Sequence, residues 1–74
     1  MEVQFLELFS EIVESENAVK MDDLLTDFEE WDSLAVLSVI SMLDDEYGVI
    51  MGSKDMKKMK TVGDIFSFVM NAVK

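Results

Sequence analysis

One uninterrupted segment limits what this chain can become. From Ser33 to Tyr47 the sequence SLAVLSVISMLDDEY holds neither glycine nor proline. Asp32 stands just before it as a good N-cap, because its carboxylate can accept from the orphan backbone N–H groups of a first helical turn. Gly48 follows it and suits the left-handed conformation that ends many helices. Val36, Val39, Ile40, Leu43 and Tyr47 recur at the spacing of one helix face and are the expected core residues. Ala35, Leu37, Ser38 and Ser41 are expected to point outward, with Leu34 also outside the core.

A segment with a start, a stop and one apolar face needs other helices to pack against. The 74 residues predict one domain, spanning 1–74. Half of them are hydrophobic, enough to attempt a core at a size where any core is marginal. With no proline and three glycines, the chain lacks the punctuation of a many-turned β fold. An all-α fold is therefore expected.

Sixteen acidic residues against six basic ones give a net charge of −10. Such a surface repels nucleic acid and anionic membranes, and attracts partners that carry basic patches. There is no cysteine and no histidine, so neither a thiol nucleophile nor an imidazole base is present. No carboxylate pair is placed in an apolar setting, and no glycine-rich phosphate loop appears. The chain is not expected to be an enzyme. No catalytic residue and no metal ligand is assigned. The acids beginning at Asp22 fail as a calcium loop, since Asp27 occupies the position that needs glycine and Ser33 the one that needs glutamate. Glu7 and Glu11 interrupt the apolar run near the N-terminus, which also lacks a positive start, so no signal peptide is expected. No stretch is apolar enough to enter a bilayer, and a cytoplasmic monomer is the expectation.

Taken in order, Met1 to about Glu14 predicts the first helix, with Leu6, Phe9 and Val13 as its stripe and Val3 and Phe5 near its start. Ser15-Glu16-Asn17 favours a turn. Ala18 to Trp31 shows no sustained period and predicts a long ordered loop, pinned by Val19, Met21, Leu24, Leu25 and Phe28, with Asp22, Asp23, Asp27, Glu29 and Glu30 in solvent. Trp31 is expected as a half-buried plug whose indole N–H finds a partner. After the apolar connection Val49-Ile50-Met51, Ser53 is expected to cap a short helix to about Met59, with Met56 and Met59 inward. Its lysines, Lys54, Lys57, Lys58 and Lys60, read as a solvated basic face. Thr61-Val62-Gly63-Asp64 resembles a capping box. The last helix is expected to run to about Ala72 and to bury Val62, Ile65, Phe66 and Val69, with Val73 extending that face.

Asp32-Ser33-Leu34, preceded by Glu30-Trp31 at the head of an apolar helix in a short acidic chain, resembles the attachment motif of the acyl carrier proteins. The resemblance covers essentially the whole chain. It implies a small four-helix bundle with a long loop between helices 1 and 2 and a short helix 3, whose interior can open for a bound chain. It also implies a 4′-phosphopantetheine arm, taken from coenzyme A and joined to Ser33 by a phosphopantetheinyl transferase. A phosphate there would lie near the positive end of the helix dipole. The acyl cargo would ride as a thioester, loaded and removed by acyl-transfer enzymes with basic or apolar docking patches. Acyl carriers of fatty-acid synthesis typically place acids early in this helix, whereas here acids begin only at Asp44. The departure favours a dedicated carrier for a specialised pathway and leaves an aminoacyl or peptidyl carrier open. An acidic helical interaction module without a prosthetic group, docking through Leu34 and Leu37, is the alternative from another class.

Overall fold

The computed structural model describes residues 2–15 and 18–73. Four helices follow one another: α1 (Glu2–Val13), α2 (Ser33–Tyr47), α3 (Ser53–Lys57) and α4 (Val62–Ala72). A single 3-10 turn, Leu25–Asp27, interrupts the long connection between α1 and α2. Among the described residues the one extended pairing is an isolated bridge between Leu24 and Thr61. The architecture is the expected all-α bundle with a long first loop and a short third helix.

The ends of α2 form as its sequence dictates. The Asp32 carboxylate accepts from the Ala35 N–H at 2.9 Å. Gly48 adopts φ 65°, and the Val49 N–H reaches back to the Leu43 carbonyl at 3.1 Å, closing the last turn. α1 ends in a similar way on a residue less suited to it. Glu14 takes φ 51°, and Ser15 N–H reaches Ser10 O at 3.1 Å. The expected start at Met1 and the turn at Glu16 and Asn17 lie outside the described residues. α4 begins with the expected reciprocal cap: Thr61 Oγ1 accepts from the Asp64 N–H, and Asp64 Oδ2 accepts from Thr61 N–H, both at 3.1 Å. α3 differs from expectation. Its N-cap is Gly52 rather than Ser53, it stops at Lys57, and the Asp55 carboxylate accepts from the Gly52 N–H at 3.3 Å. Met56 is buried and Met59, beyond the helix, is half-buried.

The core corrects several faces. On α1 the buried residues are Phe5, Phe9 and Val13, while Leu6 is only partly buried and Val3 is 67% exposed. On α2, Val39 and Leu43 are fully buried as expected, but Ala35 and Met42 join them, and Val36, Ile40 and Tyr47 are half-buried. Ala35, expected outside, is 6% exposed. Ala35, Val39 and Met42 are themselves spaced as one helix face, so the buried stripe is rotated by about one residue from the one expected. Leu34 and Leu37 are exposed, as expected. In the connection after α2, Val49 and Met51 are buried and Ile50 between them is exposed. On α4, Val62, Ile65 and Val69 are buried, Phe66 is half-buried, and Val73 lies past the helix and is exposed.

Aromatic rings run along α1 through this core. Phe5 packs against Phe66 (5.2 Å between centroids), Phe9 (6.2 Å) and Tyr47 (6.5 Å). Phe9 continues the row to Phe28 at 5.6 Å and Trp31 at 5.7 Å. Geometries of this kind add a modest increment to the area that each ring buries.

The long loop is ordered, and backbone bonds tie it to the start of α4. Leu25 N–H donates to Lys60 O at 2.9 Å, Val62 N–H to Asp23 O at 3.0 Å, and Gly63 N–H to Met21 O at 2.7 Å. Val19 and Leu25 are the buried pins, Met21 and Phe28 are half-buried, and Leu24 is exposed. Asp23, expected in solvent, is half-buried, and its carboxylate accepts from the Lys20 N–H at 2.9 Å.

Candidate functional site

Ser33 is the first residue of α2 and is exposed. The Asp32 cap fixes where the helix starts and therefore where the Ser33 side chain leaves the surface. Its hydroxyl has no hydrogen-bond partner among the described residues. A nucleophilic oxygen held on a rigid helix start and left free is what a modifying enzyme requires.

Beside Ser33 opens a cleft of about 690 Å3. One wall is the start of α2, with Trp31, Ser33, Val36 and Leu37. The long loop supplies Leu24, Leu25 and Thr26. The opposite wall is α3 and the segment after it, with Ser53, Met56, Lys57, Met59 and Lys60. The lining is mostly apolar and no acidic side chain belongs to it.

The position of Trp31 follows from the aromatic row. It is half-buried against Phe9 and lines the cleft with its remaining surface. It thus serves as plug and wall together. The expected partner of its indole N–H is not found among the described residues. The latch between loop and α4 places Leu24 and Leu25 on the cleft, since both flank the backbone bond from Leu25 to Lys60.

Sequence reasoning expected Ser33 as the attachment point and Trp31 as a plug, and both line this cleft; the residues on its far wall it missed. Met56 and Met59 were legible only as inward-facing, and Lys57 and Lys60 as a solvated face. The signal for the loop residues was weak, because backbone bonds bring them there and no side-chain pattern encodes those bonds. Among the described residues no cluster of carboxylates is arranged to hold a metal ion. No helix among them is long and apolar enough to cross a membrane. Ser53 also lines the cleft and opens a helix, but that helix spans only Ser53–Lys57.

Scanned against models of protein families, the chain matches none. It is 33% identical over 55 residues to the acyl carrier protein of Arthrobacter sp. (strain FB24), covering 74% of this chain and 68% of that one. It is also 33% identical over 76 residues to the acyl carrier protein of Thermosynechococcus vestitus, covering 86% and 94%. A solved chain from Mycobacterium tuberculosis, itself provisionally assigned as an acyl carrier protein, superposes with a TM-score of 0.82 at 26% identity and 95% coverage of both chains.

Proposed function

Because this chain belongs to the acyl carrier protein family, a family of carriers rather than catalysts, we propose that Ser33 bears a 4′-phosphopantetheine arm and that the chain serves a specialised biosynthetic pathway in the cytoplasm. Membership speaks against the bare interaction module. The observation that carries the reading is the exposed, unpartnered Ser33 hydroxyl on the first residue of α2, at the edge of an apolar cleft. The residues present fit the group, which when bound supplies the thiol that holds an acyl chain as a thioester. Ser33 provides the attachment oxygen. Asp32 holds the helix start that orients it. Trp31, Val36 and Met56 give a hydrocarbon chain an apolar wall away from water.

The specialised role rests on the outer face of α2. Leu34 is 74% exposed and Leu37 59%, Ser38 and Ser41 lie on the surface beyond them, and the first turn carries no acid. Ala35 no longer counts toward that face. Charges mainly steer an encounter, whereas desolvated apolar contacts hold a complex. A dedicated loading enzyme would recognise Leu34 and Leu37, helped by Asp27, Glu29, Glu30, Asp44 and Asp45, all exposed.

Intact mass after incubation with coenzyme A and a broad phosphopantetheinyl transferase tests the attachment. The wild type and Ser53→Ala should gain one arm, and Ser33→Ala none. A mass gain on Ser33→Ala would defeat the assignment. On protein already bearing the arm, Leu37→Glu should impair cargo loading by the dedicated enzyme without unfolding the chain. General fatty-acid enzymes should use this carrier poorly, and efficient use by them would defeat the specialised role.

A further inference from the structure

The charge of the cleft is opposite to that of the chain. Sixteen acidic residues are present and none lines it, while two of the six basic residues, Lys57 and Lys60, do. Lys57 ends α3, is exposed, and has no carboxylate partner among the described residues. Lys60 faces a different situation. Its charge acts on Asp64, but that carboxylate already accepts from the Lys60 and Thr61 N–H groups at 2.9 and 3.1 Å. The remaining lining is mostly apolar and includes Leu25, Trp31, Val36 and Met56, with three hydroxyls from Thr26, Ser33 and Ser53. A plain hydrocarbon chain gains from that wall and gains nothing from two ammonium groups beside it.

Building on the carrier reading above, we propose that this cleft is fitted to an acyl chain bearing an anionic oxygen group, such as the free carboxylate of a dicarboxylic acyl group. The hydrocarbon part packs on the apolar wall while the anion meets Lys57 and Lys60. Both lysines are exposed, so such a charge-assisted pair adds a modest, salt-sensitive preference to the apolar contact. A phosphodiester on Ser33 presents the same chemistry at the same cleft, so the experiment separates arm from cargo.

The chain is loaded by a broad transferase with octanoyl- or suberoyl-coenzyme A, which match in length and differ in a terminal carboxylate. Melting temperature and Trp31 fluorescence are then read. The suberoyl form should melt higher than the octanoyl form, and the gap should vanish in Lys57→Gln/Lys60→Gln and shrink with salt. In parallel, suberic acid monoamide and octanamide are titrated into the unmodified chain. The monoamide should bind roughly threefold to tenfold tighter, and equally in the double variant. Equal protection by the two cargoes, or a gap that survives the double variant, overturns the proposal. So does a lysine-dependent rise in melting temperature that is complete with the bare arm, since the anion is then the phosphodiester. If mass shows no arm, the carrier reading falls, and the titration still decides what the cleft prefers.

Discussion

Gly63 lies so close to Met21 that no methyl group fits between them. Its N–H donates to the Met21 carbonyl at 2.7 Å, and a Cβ on Gly63 would stand 2.9 Å from the same oxygen. Alanine would gain about 1 kcal/mol in helix propensity within α4. It would also push against backbone, which cannot swing aside as a side chain can. We expect Gly63→Ala to destabilise the chain by about 1–3 kcal/mol net, with faster amide exchange at Leu25, Val62 and residue 63. A variant as stable as wild type would show that the loop latch is slack.

The two faces of α2 predict opposite sensitivities. Leu43 is fully buried, so Leu43→Ala should cost about 2–5 kcal/mol and is severe in so small a domain. Leu34→Ala and Leu37→Ala should each stay within about 0.5 kcal/mol. Ala35→Leu should cost about 1–3 kcal/mol through overpacking, in contrast to any exposed alanine. Urea unfolding of the four variants checks the assignment, and a harmless Ala35→Leu would place the rotated face in error.

Tyr47 predicts an alkaline weakness. Its hydroxyl is buried without a hydrogen-bond partner among the described residues. Burial, and then the negative charge of Glu46, raise its pKa above the ordinary 10.0. A raised phenol pKa means the folded state holds its proton longer than the unfolded one. The associated stability is present below pH 10.0 and is lost as pH climbs toward and through the raised value. Tyr47→Phe should match or exceed wild-type stability at pH 7, and its melting temperature should fall less between pH 9 and about 11. Tyr47 is the single tyrosine of the chain, so phenolate absorbance follows it directly. A phenolate that titrates at or below pH 10.0 in the folded protein would contradict this account.

At the acid end the cap of α4 is the sensitive point. Hydrogen bonds from the Lys60 and Thr61 N–H groups, then the Thr61 hydroxyl and the Lys60 charge, lower the Asp64 pKa below 3.8. A lowered pKa means stability present above pH 3.8 and lost as pH falls through the lower folded value. Asp64→Ala should therefore melt below wild type at pH 6, and the difference should close toward pH 3. A difference that is unchanged by pH would locate the role of Asp64 in packing instead of charge.

What the sequence made legible was local. Asp32, Gly48 and the Thr61–Asp64 pair act on backbone groups a few residues away, so residue type and spacing suffice to read them. The faces of α1 and α2 were legible only to within one position. Phe5, Leu6, Leu8, Phe9, Ile12 and Val13 offer several apolar directions on α1, and the neighbours choose among them. Small residues mislead in the same way, since Ala35 carries no pattern that separates inside from outside. The cleft beside Ser33 was not legible at all beyond the helix that bears it. Its loop wall depends on backbone bonds between Asp23, Leu25 and the α4 start, which leave no side-chain signature. One signal did exist. A glycine inside the helical pattern of α4 asks for a close approach, and Met21 supplies it.

Four of the six basic residues fall between Lys54 and Lys60, where Asp55 is the single acid. That segment is net positive in a chain of net charge −10, so the molecule is an electric dipole as well as a polyanion. A polyanion is only drawn toward a basic surface, but a dipole is also turned by it. A basic patch is repelled at α3 and attracted by the acidic remainder, so the two regions do not meet it equally. For a carrier meeting a basic enzyme surface, orientation is then biased before first contact, and added salt should slow productive encounters by loss of alignment as well as of attraction.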